Sequence, residues 1–134
     1  MKTKILIVGA VLLLILLYGC SQQLDSKKGV LEGKVTIGPL CPNYQGSDTD
    51  PKCQPTAETY KARPLAVFTP DRSSKVASIE PAEDGTYQLE LQAGNYVVDL
   101  EKQDSLGTGA LPATVTINPG ETTTLDIDID TGIR

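Results

Sequence analysis

The sequence of 134 residues contains no histidine and no tryptophan, and it has only one phenylalanine and three cysteines. Because histidine is the most common general base, pairs of serine or cysteine with histidine for acyl transfer are excluded. Basic residues are also in the minority, with 12 Lys and Arg against 17 Asp and Glu and a net charge of −5. A surface of this charge does not attract nucleic acid. We therefore predict a protein that is not an enzyme, holds no cofactor and has no nucleic-acid partner.

The one long apolar run lies at the N terminus. Lys2 and Lys4 precede an uninterrupted apolar stretch from Ile5 to Leu17. A short basic start followed by such a stretch is typical of a secretory signal. A membrane-spanning helix needs about 20 apolar residues, and this run is shorter. The pattern predicts an exported protein with a signal peptide at residues 1–19.

A cysteine stands at the end of this run, in Leu17-Tyr18-Gly19-Cys20. These four residues resemble the bacterial lipobox, although Tyr18 replaces the small residue usual at that place. The resemblance implies that the Cys20 thiol receives a diacylglycerol, that the signal is cut before Cys20, and that the new amino terminus is acylated. Two or three acyl chains anchor a protein stably. A plain signal peptide or an uncleaved anchor is the alternative.

Residues 20–28 are predicted to form the lipidated cysteine and a polar tether. Eight extended residues from Ser21 to Lys28 reach about 26 Å, so the domain is expected close to the membrane. Ser21 is not the aspartate associated with retention in an inner membrane, which favours an outer membrane in a host that has two. The predicted location is the extracytoplasmic side of the cell membrane or outer membrane.

Two cysteines remain once Cys20 is assigned to the anchor. Cys41 and Cys53 bracket a polar segment rich in Pro, Gly and Asp, which we expect to form neither helix nor strand. An even pair in an exported protein predicts a disulfide that closes this loop. Two cysteines without histidine fall short of the four ligands of a zinc site.

The disulfide loop is the predicted binding surface. Aromatic side chains that bind sugars must be exposed, and Tyr44 in the loop and Tyr60 ahead of the second strand are the candidates, while the other tyrosines of the domain follow the core pattern. Asp48 and Asp50 add carboxylates to the same loop. Binding residues often lie on loops that a rigid scaffold positions, so these four residues form the candidate site. Packing within the loop is the competing interpretation of Tyr44.

Beyond residue 28 the apolar residues alternate with polar ones, and turn residues separate the runs. This period of two predicts strands rather than helices. The residues expected to face inward include Leu31, Val35, Ile37, Tyr87, Leu89, Leu91, Leu125, Ile127 and Ile129. Seven strands are expected, at residues 30–37, 64–68, 75–80, 86–91, 95–101, 113–117 and 123–130. We therefore predict an all-β fold, a seven-stranded antiparallel β-sandwich at residues 29–134, preceded by the signal-peptide helix and the short tether.

Two turns and one acidic row complete the pattern. Asp84-Gly85 predicts a type I′ hairpin, and Asn118-Pro119-Gly120 predicts a type II turn. In the last strand Asp126, Asp128 and Asp130 share one face. We interpret this row as a solvated face that keeps an edge strand from pairing with other proteins. A weak calcium site shared with Asp48 or Asp50 is the alternative, because calcium takes six to eight oxygen ligands.

Several strand and turn segments together resemble the carboxypeptidase regulatory-like domain. They are Gly33-Lys34-Val35, Val76-Ala77-Ser78, Asp84-Gly85-Thr86-Tyr87-Gln88-Leu89 and Ala93-Gly94-Asn95-Tyr96-Val97-Val98. The resemblance implies a transthyretin-like sandwich that serves as a non-catalytic module on exported proteins. The hydrolase known on that fold depends on histidines, which this chain lacks.

These observations predict a membrane-anchored, extracytoplasmic lipoprotein that acts as a non-catalytic structural or protein-interaction module at the cell envelope. Its partners are expected to be the membrane, through the lipid anchor, and an envelope protein or glycan. A carbohydrate- or peptide-binding surface module, and an accessory subunit or inhibitor of a surface enzyme, are the alternative functions.

Overall fold

The computed structural model describes residues 27–42, 46, 49–102 and 110–133 of the chain. The predicted signal peptide, Cys20 and the tether up to residue 26 lie outside the described residues. Tyr44 and Asp48 of the predicted binding loop also lie outside them. Within the described part of the chain, no helix is long and apolar enough to cross a membrane.

Eight strands and one short α-helix make up the described part of the chain. In chain order the strands are β1 (Lys28–Gly38), β2 (Leu65–Phe68), β3 (Lys75–Ile79), β4 (Thr86–Gln92), β5 (Gly94–Leu100), β6 (Ala113–Ile117), β7 (Thr122–Thr124) and β8 (Ile127–Asp130). Helix α1 (Ala57–Lys61) and a 3-10 helix (Pro51–Cys53) lie between β1 and β2. Each predicted strand is present to within two residues at its ends, except that the predicted last strand is divided in two.

Two four-stranded sheets pack face to face, as predicted for a β-sandwich. The first sheet has the order β4-β1-β7, with β8 also paired to β1, and the second has the order β3-β2-β5-β6. The prediction of wholly antiparallel sheets is wrong, because β1 pairs with β7 and β8 in parallel. Alternation of side chains is the same in parallel and antiparallel strands, so the sequence pattern could not show this difference.

The core lies between the sheets and is mainly aliphatic. The most deeply buried large side chains are Leu31, Val35, Leu65, Val67, Val98, Ile117, Ile127 and Ile129. Of the residues predicted to face inward, Tyr87 and Leu91 are also buried, and Leu89 and Leu125 pack partly buried against the core. The period of two therefore identified the inner faces correctly.

The eighth strand arises from a close approach of two backbones at Gly33. The Leu125 amide donates to the Glu32 carbonyl oxygen at 2.8 Å, but the Asp126 side chain, rather than a backbone carbonyl, accepts from the Lys34 amide at 2.9 Å. A Cβ on Gly33 would lie 1.9 Å from the Leu125 carbonyl oxygen. The regular ladder is interrupted here, and this interruption separates β7 from β8.

Tyr87 fixes the same point from inside the sandwich. Its hydroxyl donates to the Leu125 carbonyl oxygen at 2.5 Å, and its side chain is buried. Tyr87→Phe is expected to lower the free energy of unfolding by about 1–2 kcal/mol, because the partly buried Leu125 carbonyl loses its hydrogen-bond donor. Urea unfolding of the two proteins at pH 7 measures this loss.

The pH dependence of stability gives a second test of the burial of Tyr87. Burial first, and then the negative charge of Asp126, raise the pKa of Tyr87 from 10.0 to about 12. The unfolded chain therefore loses this proton first as the pH rises, and the stability present below pH 10 is lost between pH 10 and 12. Tyr60, whose pKa is also raised by burial, adds to the loss. We expect Tyr87→Phe to reduce the decline between pH 10 and 12, and an equal decline in both proteins would contradict this assignment.

Both predicted turns are present, but the turn at Asp84-Gly85 is not a hairpin within one sheet. Gly120 has a φ of 71°, and the Glu121 amide donates to the Asn118 carbonyl oxygen, as a type II turn requires. The prediction of a type I′ hairpin at Asp84-Gly85 is wrong. Gly85 has a φ of 84°, but among the described residues other than glycine only Arg72 has a positive φ. The turn also joins β3 and β4, which belong to different sheets.

The strand directions place the long connections at one end of the sandwich. We call this end the far pole, and of the described residues it contains 38–42, 46, 49–64, 80–85, 101–102, 110–112 and 130–133. The other end, the near pole, contains the start of β1 and the turns at residues 93 and 118–121. There the Ala93 amide donates to the Lys27 carbonyl oxygen at 2.6 Å, which ties the start of β1 to the domain.

Candidate functional site

A disulfide closes a segment at the far pole. Cys41 and Cys53 form a disulfide with Cα atoms 5.4 Å apart and a sequence separation of 12 residues. The predicted pairing is therefore confirmed. Tyr44 and Asp48 belong to the closed loop but lie outside the described residues, so their roles in binding stay predictions.

Asp50 caps a short helix within the loop. Its Oδ1 accepts from the Lys52 amide at 2.9 Å, and it caps the 3-10 helix Pro51–Cys53. The Asp50 amide also donates to the Gly46 carbonyl oxygen at 3.1 Å. The expectation that the loop contains no helix is wrong, since a proline just inside and an aspartate just before this turn are favourable starting residues. A further role of Asp50 in binding stays a prediction.

The expectation that Tyr60 is exposed is wrong. Tyr60 lies in α1 and is only 6% exposed, packed into the hydrophobic core. At the start of the helix the Thr56 amide donates to the Thr59 hydroxyl oxygen at 3.0 Å, and five residues are too few for a helical period to be visible in the sequence. Burial, and then the charge of Asp84, raise the pKa of Tyr60. Tyr60 therefore offers no exposed platform for a sugar ring.

A groove of about 470 Å³ runs along the far end of β1. We call it the edge groove. It is lined by residues 34–37 of β1, by buried Tyr60, by Gln54 and Pro55, which we call its wall, and by exposed Glu83 and Asp84, which we call its rim. The Cys41–Cys53 disulfide lies beside it, since a neighbouring depression is lined by both cysteines together with Ile37, Gln54 and Pro55.

Asp84 gives the rim of the edge groove a fixed negative charge. Its Oδ1 accepts from the Thr86 hydroxyl at 2.7 Å and from the Thr86 amide at 3.0 Å. These two hydrogen bonds, together with the charge of Lys34, lower the pKa of Asp84. The carboxylate is therefore ionised at neutral pH. Glu83, the residue before Asp84, is exposed and adds a second carboxylate.

The acidic row of the last strand lies on a sheet edge, where β8 pairs only with β1. Asp126 accepts from the Lys34 amide, and Asp128 accepts from the Thr36 hydroxyl at 2.6 Å. Asp130 accepts from a backbone amide beyond the end of β8. Across the described ranges, no group of three or more Cys, Asp or Glu side chains is placed to hold a metal ion. The carboxylates are thus engaged one by one with neighbouring backbone and side-chain groups instead of converging on one point.

The sequence did not identify Glu83, Asp84 and Ile37 as residues of one groove. Asp84 and Gly85 were interpreted only as a turn, and Ile37 only as a core residue. The usable signal was strand length, because β1 has eleven residues and β4 has seven. A longer strand beside a shorter one leaves part of its edge open, but this comparison requires knowledge of which strands pair.

Comparison of the sequence with protein families and with curated proteins finds no match. The resemblance to the carboxypeptidase regulatory-like domain therefore stays a prediction.

Solved structures show similarity at the level of the fold. The minor pilin GBS52 of Streptococcus agalactiae is 15% identical with a TM-score of 0.52, covering 80% of this chain and 46% of that chain. A DUF3823 family protein from Parabacteroides merdae is 19% identical with a TM-score of 0.46, covering 78% and 47%. BcpA, the major pilin subunit of Bacillus cereus, is 13% identical with a TM-score of 0.45, covering 77% and 29%. This chain spans less than half the length of each of these proteins.

Proposed function

We propose that the protein is a lipid-anchored module of the bacterial cell envelope that holds a β-sandwich on the extracytoplasmic side and contacts other envelope proteins. Acyl chains on Cys20 would fix the N terminus to the membrane, and residues 21–27 would connect the anchor to β1. The sandwich would then act as a rigid spacer. Because β1 has eleven residues, its far end lies roughly 35 Å from its start.

The pairing of the cysteines is the observation that carries this proposal. Cys41 and Cys53 form a disulfide, which accounts for two of the three cysteines in the sequence, and Cys20 is the third. It lies at the end of the apolar run, directly after Gly19. Disulfides persist in exported proteins, where a leftover cysteine needs another explanation. Attachment of lipid to the Cys20 thiol supplies that explanation.

The near pole supports the same arrangement. β1 begins there at Lys28, so a tether from Cys20 reaches the sandwich at the end opposite to the disulfide segment. Of the loops described, the far pole carries the longest. In this orientation the anchored domain presents the far pole, with its disulfide segment, away from the membrane. Similarity of fold to a pilin, itself a surface protein, agrees with this view.

We expect Cys20→Ser to abolish incorporation of labelled palmitate into the protein in a bacterial host, because a serine hydroxyl cannot form the thioether. The matched control is Cys41→Ser/Cys53→Ser, which also removes thiols but should retain the label. Labelling of immunoprecipitated protein, followed by electrophoresis, measures both. Retention of label in Cys20→Ser, or its loss only in the double variant, would contradict the proposal.

A further inference from the structure

β1 extends beyond the strand that pairs with it on one side. It has eleven residues, but β4 pairs only with the first seven, from Lys28 to Lys34. The Val35 amide then donates to the Gly85 carbonyl oxygen at 2.8 Å, at the turn where the chain enters β4. Among the described strands, no other lies on this side of β1. Within the part of the chain that the structure describes, the last residues of β1 therefore form an open strand edge.

The backbone of Ile37 points toward this open edge. The Lys34 amide and the Gly38 carbonyl oxygen bond on the other side of β1, to Asp126 and to the Thr131 amide. Backbone groups of successive residues in a strand point to opposite edges, so the groups of Ile37 share the side of the Val35 amide. Ile37 lines the edge groove, and its side chain is buried in the core. Its N–H and C=O offer a donor and an acceptor at strand spacing.

The edge groove places a strand edge in an open depression. Gln54, Pro55, Glu83 and Asp84 line it together with residues 34–37 of β1. The volume of about 470 Å³ falls within the range of pockets that bind ligands. An extended polypeptide matches the donor and acceptor that Ile37 offers, as in proteins that bind peptides by adding a strand to a sheet.

The charge of the rim selects among extended segments. Glu83 and Asp84 are carboxylates, and Lys34 is the one cation among the residues that line the groove. The whole chain also carries a net charge of −5. A basic side chain in the occupant complements this rim, and complementary charge increases both the rate and the specificity of association. A second copy of this acidic chain is a poorer match.

We propose that the edge groove binds an extended segment of an envelope partner protein that carries a basic residue, by adding a short strand beside Val35–Gly38 of β1. This inference rests on the proposed function, because it assigns the partner contact of the anchored module to the far pole. Among the other strand edges near this pole, β8 carries Asp128 and Asp130, and β3 carries Lys75, whose Nζ lies 3.1 Å from a carboxylate oxygen of Glu101. Charges of this kind on an edge strand discourage strand addition.

The test uses full-length protein, ¹⁵N-labelled and purified from membranes in detergent micelles, with defined heptapeptides. The first peptide alternates valine and threonine between terminal lysines. The second has the same side chains but N-methyl groups on alternate amides, in both possible phases. The third carries glutamates in place of the lysines. Amide exchange at Ile37 and chemical-shift titration measure binding.

We expect the lysine peptide to slow amide exchange at Ile37 and to bind at least tenfold more tightly than its N-methylated form in one of the two phases, because hydrogen bonds to β1 are lost. The glutamate peptide should bind more weakly still. Glu83→Gln should weaken binding of the lysine peptide about two- to fivefold, as for an exposed ion pair. Glu90→Gln, an exposed carboxylate on β4 near the opposite pole, is the matched control and should leave binding unchanged.

Three results would overturn the inference. They are an unchanged exchange rate at Ile37 with every peptide, equal binding of the parent and both N-methylated peptides, and shifts confined to β3. Protection of Ile37 that rises with protein concentration alone would instead show that a second copy occupies the groove. The intact mass of the same sample reports acylation, so failure of the groove and failure of the anchor are read separately.

Discussion

Gly33→Ala is expected to lower the free energy of unfolding by about 3–5 kcal/mol, which is a large part of the stability of a small domain. The added Cβ would lie 1.9 Å from the Leu125 carbonyl oxygen and 2.6 Å from its carbon. Both are backbone atoms, so rotation of a side chain cannot relieve the clash. Thermal or urea unfolding of the full-length protein in detergent measures the loss, and 3 kcal/mol corresponds to a fall in Tm of roughly 15 °C.

Leu125 cannot move aside without breaking other interactions. Its amide donates to the Glu32 carbonyl oxygen at 2.8 Å, and its carbonyl oxygen accepts from the Tyr87 hydroxyl. The control is Gly38→Ala in the same strand, where an added Cβ meets no atom within 4 Å. That variant should stay within about 0.5 kcal/mol of the wild type. If Gly33→Ala also stays within that range, the close approach of β1 to the last strands is wrong.

Removal of the disulfide is expected to have the second largest effect. For the double variant Cys41→Ser/Cys53→Ser we expect a loss of about 3 kcal/mol, since the cross-link closes a loop with a sequence separation of 12 residues and restricts the unfolded chain. The midpoint of urea unfolding should fall accordingly. The disulfide also lies beside Gln54 and Pro55, the wall of the edge groove, so the double variant should bind the lysine peptide more weakly.

A reductant separates the disulfide from the serine substitutions themselves. Under reducing conditions the stability of the wild type should fall to that of the double variant, and the double variant should not change. Equal stability of the two proteins under oxidising conditions would show that the cross-link contributes nothing. A double variant that remains less stable than the reduced wild type would show that the serines, not the missing bond, cause the loss.

The period of two in the sequence identified most of the fold, because burial of one face of a sheet forces alternation. It placed β6 at its observed bounds and assigned Leu31 and Ile127 to the core. It could not divide the last strand, since the cause is contact with Gly33, 92 positions earlier in the chain. Nor could it show that β1 and β8 are parallel, because pairing partners depend on the whole topology.

The candidate site was less predictable than the fold. The Cys41–Cys53 pairing followed from the count of cysteines, and the structure confirms it. Tyr60 was predicted to be exposed because it lies ahead of a strand. It is buried, because a five-residue helix directs its side chain into the core. The edge groove depends on the difference in length between two paired strands, which is a tertiary property.

The measurement that tests the account most directly is the intact mass of full-length protein extracted from bacterial membranes, alkylated before or after reduction. The account predicts a chain that begins at Cys20, carries two or three acyl chains, and reacts at two thiols only after reduction. A chain cut elsewhere without added lipid, or one with free thiols at Cys41 and Cys53, would contradict the anchored module.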